Sequence, residues 1–359
     1  MTRIRTAIVG CGKVGHIHAS ALASLPESEF VAVCDRDEDR ARAFAETYGA
    51  QACTGLGKML DQCAVEALMV CTPHPLHAEA VLCAAQHGVH VLVEKPMAAS
   101  LSDCDQMIEA AERASIKLGV ISQRRFYEPV VRMKKAIDAG KIGKPVLGSV
   151  IMLSWRDQAY YESDPWRGKW DTEGGGVLVN QSPHLLDILQ WLMGPIEEIS
   201  GYWANLNHPF IEVEDTSVAM LRFRSGGLGW IAVSLCQKPG IYTKIHVHGS
   251  NGASVGVQTD TGATFVAGAP GVAEPPFNDL WTVPGEESLL EGFVSGDRER
   301  IARIDVTTHY HQLQIKDFLR SIAEDRQPMV SGQDGRKVVE IFAGIYESNR
   351  TRRPFKNRA

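Results

Sequence analysis

The chain has 359 residues, 44% of them hydrophobic and 22% charged, enough for two domains with separate cores. Its net charge of −6, from 37 basic and 43 acidic residues, argues against a nucleic-acid surface, so Arg350, Arg352, Arg353, Lys356 and Arg358 read as a solvated tail. No apolar run reaches the ~20 residues a membrane helix needs, and the one after Arg3 and Arg5 is too short for a signal peptide; a cytoplasmic protein with no membrane partner is expected.

Residues 6–9 form a short apolar run that predicts a buried strand. Gly10, Gly12 and Gly15 follow it at G-x-G-x-x-G spacing. Gly10 would allow the tight turn, Gly12 a close approach of backbone to pyrophosphate, and Gly15 close packing of helix on strand. The helix that begins there aims unpaired N–H groups and a positive dipole end at the phosphates. A second apolar run, residues 30–34, ends at Asp35, whose carboxylate can accept both hydroxyls of an adenosine ribose. This context predicts a nicotinamide dinucleotide. Asp35 favours NAD, because its charge repels a ribose 2′-phosphate; Arg36 beside it could bind that phosphate, so NADP is the alternative.

Strands near 5–9, 30–34, 66–71, 90–93 and 117–121 alternate with helices near 14–24, 37–48, 56–62, 75–87 and 103–114. That rhythm is α/β, a doubly wound parallel sheet. Pro73 and Pro75 turn the chain at the carboxyl edge of the sheet, where ligands bind, and Glu94-Lys95-Pro96 follows the next strand at the same edge.

After residue 121 the pattern changes. A helix near 129–139 leads through a Gly/Pro loop into alternating segments suited to antiparallel strands, at 145–153, 196–204, 216–223, 228–235 and 243–248. Arg224-Ser225-Gly226-Gly227 and Gly249-Ser250-Asn251-Gly252 are hairpin-like. One helix, 183–192, interrupts this set, residues 258–300 yield no readable element, and helices near 309–323 and 334–348 close the chain. The division implied is 1–122, a dinucleotide-binding domain, and 123–359, a substrate-binding and oligomerisation domain.

Seven of the eight cysteines precede residue 105, with no Cys-x-x-Cys pair, and read as free thiols in a reducing compartment. Several histidines come in pairs, among them His16/His18 and His309/His311, but no carboxylate or cysteine stands at ligand spacing, so no metal is expected. Trp155, Arg156, Tyr160, Tyr161, Trp166, Arg167 and Trp170 crowd into one stretch. Aromatic faces can stack on the C–H faces of sugars and arginines can bind hydroxyls or carboxylates; the plainer reading is that these rings anchor a long loop. Gly174-Gly175-Gly176 then precedes Asn180, His184 and Asp187, which share one face if 181–192 is helical.

Taken together, the glycine fingerprint, Thr72-Pro73-His74-Pro75-Leu76-His77, Glu94-Lys95-Pro96 and the glycine triplet with His184-x-x-Asp187 resemble the glucose–fructose oxidoreductase/inositol dehydrogenase/MocA family. The resemblance implies an N-terminal Rossmann domain and a C-terminal α/β domain with a large, mostly antiparallel sheet. It implies NAD or NADP chemistry on a ring hydroxyl or ketone of a sugar, glycoside or cyclitol, and a homodimer or homotetramer through the open sheet face. It makes Lys95 the catalytic lysine and His184 the acid/base, with the segments near 95 and 184 meeting over the nicotinamide ring. Asn180 departs from the family, which often has Asp there; an amide can hydrogen-bond but cannot take a proton, which shifts proton transfer onto His184. Asp187 could orient His184 or cap local structure. The expected cofactor contacts are Gly10, Cys11, Gly12, Lys13, Val14, Gly15, Asp35, Arg36, Thr72, Pro73, His77, Glu94, Lys95 and Gln123. The expected substrate contacts are Lys95, Trp166, Arg167, Asn180, His184, Tyr310 and His311. The alternatives are a glycoside hydrolase using transient oxidation by held NAD, and a non-catalytic dinucleotide-sensing regulator.

Overall fold

Six parallel strands, β1 (Ile4–Val9), β2 (Ser28–Cys34), β3 (Gln51–Cys53), β4 (Ala67–Val70), β5 (His90–Val93) and β6 (Leu118–Val120), pair in the order 3-2-1-4-5-6 in a computed structural model that describes residues 3–259 and 276–357. Strand β4 is buried on both faces, as a parallel sheet covered by helices requires. β3 was not expected: it has three residues, two of them exposed, and so lacks an apolar run. The strand order reverses between β1 and β4, the switch point beside which doubly wound sheets bind ligands. The helices Lys13–Ser24, Glu38–Tyr48, Leu56–Gln62, His77–Gln86 and Leu101–Arg113 fall where the sequence rhythm puts them. Glu38–Tyr48 shows why: Asp37 caps its first turn by accepting from the Arg40 N–H, and Gly49 in the left-handed region ends it.

The chain divides into two compact units, Met1–Gln123 with Asp305–Val339, and Arg124–Ile304 with Glu340–Ala359. This differs from the contiguous division 1–122 and 123–359. The reason is the helix Val306–Ala323, whose Ile315, Phe318 and Leu319 share one face and pack into the same core as Ile8, Leu22, Val33, Phe44, Met69 and Leu92.

The second unit is built on eight strands, β7 (Pro145–Leu153), β8 (Ile196–Ala204), β9 (Thr216–Phe223), β10 (Leu228–Ser234), β11 (Tyr242–Gly249), β12 (Ser254–Thr259), β13 (Phe277–Trp281) and β14 (Phe355–Lys356). They pair in the order 13-12-11-7-10-9-8-14, and among the described residues only β7 and β10 run parallel. Strict alternation of buried and open residues marks β9 and β11, the period of a sheet with one covered face. On the open face, Tyr202, Val218, Met220, Leu228 and Trp230 are exposed, Met220 by 72%. β12, β13 and the helix Leu290–Ile301 occupy part of the stretch in which no element was readable; residues 260–275 lie outside the described ones. Among the described residues no helix is long and apolar enough to cross a membrane.

Candidate active site

The first unit carries the glycine turn. Gly10 has φ +96°, and a Cβ there would lie 2.6 Å from the Cys71 carbonyl carbon. A Cβ on Gly15 would lie 2.4 Å from the Gly10 oxygen, whereas one on Gly12 would meet nothing within 4 Å. Gly10 and Gly15 are glycines because protein is too near; the space at Gly12 is open. Gly12 also starts the helix Lys13–Ser24 without a side-chain cap, and no acidic residue sits in its first turn. The first N–H groups and the positive helix end are thus left for an anion. Asp35 Oδ2 accepts from the Cys11 N–H (2.9 Å) and Oδ1 from the Asp37 N–H (3.0 Å), which fixes the carboxylate beside the turn. Burial and the Asp35 charge push the Cys11 thiol up to about 12, so it stays protonated. Thr72 Oγ1 is buried with no hydrogen-bond partner among the described residues. An open cradle, an uncapped helix end, a fixed acid and an orphaned hydroxyl fit a dinucleotide. Arg36 is exposed, and the cation nearest Asp35 is instead Arg40, 3.5 Å away. The Asp37 cap, three residues before Arg40, was the available signal for it.

Glu94-Lys95-Pro96 follows β5. Glu94 is buried; its Oε1 accepts from His18 Nε2 at 2.9 Å and stands 3.9 Å from His311 Nε2, and its Oε2 accepts the Lys95 backbone N–H at 3.1 Å. Burial alone would raise the Glu94 carboxyl. The His18 hydrogen bond and the charges of His18, His311 and Lys95 outweigh it and hold the group well below the usual carboxylate range. His311, expected against substrate, is buried here; burial pushes it down to about 4, and its Nδ1 lies 2.9 Å from the Thr307 carbonyl. Tyr310 is fully buried. His77 joins two loops, with Nε2 2.9 Å from the Thr72 oxygen and Nδ1 3.0 Å from that of Pro96. Sequence reasoning missed His18, whose helical face carried no sign of Glu94.

In the second unit the glycine triplet has its own geometry. Gly174, at φ +76°, ends the short helix Trp170–Glu173. A Cβ on Gly175 would lie 2.2 Å from Tyr346 Oη, and one on Gly176 would lie 1.9 Å from the Glu214 carbonyl oxygen. The Glu214 side chain, also buried, accepts from the N–H groups of Gly176 (2.9 Å) and Leu178 (3.0 Å) and from Tyr346 Oη (2.9 Å), while its carbonyl accepts from the Val177 N–H (3.0 Å). Burial nonetheless pushes the Glu214 carboxyl up to about 7. The segment so held is a π-helical turn, Val177–Gln181, followed by the helix Pro183–Met193. Asn180 sits in the π turn and buried His184 in the first turn of the helix, so the expected α-helical i, i+4, i+7 face does not extend through Asn180. Asp187 takes the buried Arg125 guanidinium in two bonds of 2.7 and 2.5 Å.

Residues 4–122 match the model of an oxidoreductase family with an NAD-binding Rossmann fold, and residues 130–255 match the GFO/IDH/MocA C-terminal domain. The chain belongs to the GFO/IDH/MocA family. It is an NAD(P)-dependent oxidoreductase. It is 27% identical to the myo-inositol 2-dehydrogenase of Thermotoga maritima over 98% of both chains. It is 29% identical to the scyllo-inositol 2-dehydrogenase (NAD(+)) of Bacillus subtilis over 70% of this chain and 73% of that one. Its fold superposes with a TM-score of 0.87 on the WlbA dehydrogenase of Bordetella pertussis in complex with NADH and UDP-GlcNAcA, at 30% identity and covering 99% of this chain and 98% of the other.

Against the family pattern, the amide at Asn180 has a carboxylate behind it. Asn180 Nδ2 donates to Glu173, a buried acid that sequence reasoning missed because a Glu in a polar stretch looks like any surface residue. Tyr160 Oη, 3.4 Å from Asn180 Nδ2, also accepts from Arg167 Nη1 (2.7 Å) and Gln181 Nε2 (3.1 Å). Arg167, expected to contact substrate, is engaged by Asp164 at 3.1 Å as well, and its guanidinium lies 4.4 Å from the Trp166 ring centre. Trp170 packs with Trp203 and Tyr346 in the manner of a loop anchor. The aromatic stretch thus splits, with Trp170 in the framework and Tyr160 and Arg167 beside Asn180.

Proposed function

We propose that the enzyme moves a hydride between NAD and a secondary hydroxyl, or the matching ketone, on a sugar or cyclitol ring. The observation that carries this reading is the Glu94-Lys95-Pro96 loop at the carboxyl edge of β5, in the same unit as the open turn at Gly12. Bound nicotinamide supplies the hydride acceptor or donor. His184 takes the hydroxyl proton during oxidation and returns it during reduction. The Lys95 ammonium stabilises the alkoxide that develops, help worth several kcal/mol where water is excluded. Glu94 fixes the Lys95 backbone through its bond to the Lys95 N–H. Lys95→Ala and His184→Ala should each lower kcat by about 100-fold or more with NADH affinity, read by nicotinamide fluorescence, nearly unchanged. Near-normal turnover in both variants would defeat the assignment.

NAD is the preferred dinucleotide in this reading. Asp35 is held in place by two backbone N–H groups and so cannot swing away from a ribose 2′-phosphate. A higher kcat/KM with NADP than with NAD would overturn that preference. The exposed apolar face of β8–β10, where Met220 opposes Trp230 and Tyr202 opposes Val218, is the surface we assign to self-association. Sedimentation of a Met220→Lys, Trp230→Lys double variant should give a smaller species than the parent; an unchanged particle size counts against it.

A further inference from the structure

The second unit buries two arginines completely enough for charge to matter, Arg125 at 1% exposure and Arg156 at 4%. Arg125 has Asp187 in a two-point pair. Arg156 has no carboxylate within ion-pairing distance among the described residues. Its Nη1 donates to the Trp155 carbonyl (2.7 Å) and to Ser154 Oγ (3.2 Å), and its Nε is buried with no hydrogen bond at all. Of the acids linked to it by sequence, through Tyr160 or through His208, Asp157 accepts from the Tyr160 N–H, Asp164 from Arg167, Glu173 from Asn180 and the Gly168 N–H, and Asp215 pairs with His208, whose Nε2 lies 2.8 Å from the Arg156 carbonyl. A guanidinium does not shed its proton, so it is a fixed, buried cation with no ion-pair partner among the described residues.

Other unsatisfied groups lie on the same stretch or, in Gln181, on a side chain that donates to Tyr160 Oη. Trp155 Nε1, Tyr161 Oη and Gln181 Oε1 are buried polar atoms with no hydrogen-bond partner among the described residues. The Arg156 guanidinium lies 5.2 Å from the centre of the Tyr160 ring, and the hydroxyl of that ring is the one 3.4 Å from Asn180 Nδ2. The unpaired cation therefore sits one side chain from Asn180. Buried polar atoms left unbonded in a cluster are costly, and a ligand that bonds them relieves the cost.

We infer that Arg156 binds an anionic substituent of the substrate, so the sugar that this enzyme oxidises carries an acid group, a carboxylate or a phosphate. This rests on the dehydrogenase reading above and narrows its substrate class: neutral cyclitols and aldoses leave Arg156 unpaired, and acidic sugars pair it. A guanidinium offers two parallel N–H groups to either anion, which a lysine cannot do.

The test uses the NAD-loaded enzyme with D-glucuronate, UDP-glucuronate, D-glucose 1-phosphate and D-glucose, following NADH formation and, separately, equilibrium binding by calorimetry. Binding of at least one acidic sugar should exceed that of glucose by about 30-fold or more, and Arg156→Gln should remove that advantage while leaving glucose binding as it was. Preference for glucuronate assigns a carboxylate, and preference for glucose 1-phosphate a phosphate. Arg156→Lys keeps the charge and should recover only part of the affinity. Equal binding of neutral and acidic sugars by the parent enzyme, or an equal loss for both in Arg156→Gln, overturns the inference. Should acidic sugars bind through Arg156 yet never reduce NAD, the dehydrogenase reading fails and the anion site stands. Should only neutral sugars be oxidised, the reverse holds.

Discussion

The two glycine clusters look alike in the sequence and are glycines for different reasons. After β1, the crowding atoms belong to the turn itself and to the end of the neighbouring strand: the Gly10 oxygen crowds Gly15, and Cys71 crowds Gly10. Before Asn180, the crowding atoms come from remote parts of the chain, the Glu214 carbonyl and the Tyr346 hydroxyl. The first cluster leaves an opening at Gly12 for a ligand; the second is closed around protein and holds the π turn. A glycine motif that shapes a binding turn has a fixed local spacing. One that admits tertiary packing has none.

Substitutions can break each side of this contrast. Gly176→Ala should have the largest effect, since its Cβ would fall 1.9 Å from backbone that cannot move without shifting Glu214. A loss of about 3 kcal/mol in urea unfolding is expected, along with collapse of turnover; a variant as stable as the parent would remove the packing explanation. Glu214→Gln sharpens the same point through pH. Because burial raises the folded Glu214 from 4.5 to about 7, its contribution is fully present below 4.5 and is lost as pH rises through 7. The parent should therefore lose stability across that window, by an amount on the order of 3 kcal/mol if other groups are matched. The Gln variant should lack that component, and identical pH profiles would mean Glu214 ionises as it does in the unfolded chain. Gly12→Ala is the smallest in stability, within about 0.5 kcal/mol, because its Cβ meets no protein atom. Its effect should appear instead as weaker NADH binding, by about 10-fold. A stability loss without an affinity loss would assign Gly12 to packing after all.

The same contrast explains what the sequence could disclose. β1, β2, β4 and β5 are legible because each contains an apolar run of three to five residues, as buried parallel strands do; β3, short and mostly open, has no such mark. Periodicity gives the helix Val306–Ala323 an apolar face but says nothing of what covers it, so its membership of the first unit had to come from packing. Candidate site residues can be proposed from the sequence where local spacing constrains them, as in the glycine turn with Asp35 and in Glu94-Lys95-Pro96. Glu173, Glu214 and His18 cannot, because each matters only through a partner far along the chain. Asn180 was placed on an α-helical face, and the π turn rotates it off that register. Arg156 is visible in the sequence as an arginine among aromatics; that its Nε finds no hydrogen-bond partner among the described residues is a property of three-dimensional neighbours.

The burial of Ile315, Phe318 and Leu319 against β-strand residues such as Ile8 and Met69 means that the nucleotide-binding half is not one continuous stretch of gene. A fragment ending at Gln123 would lack these three side chains and leave the core residues they cover open to water. Recombination that trades the amino-terminal third between relatives would have to bring this distant helix along to keep that core matched.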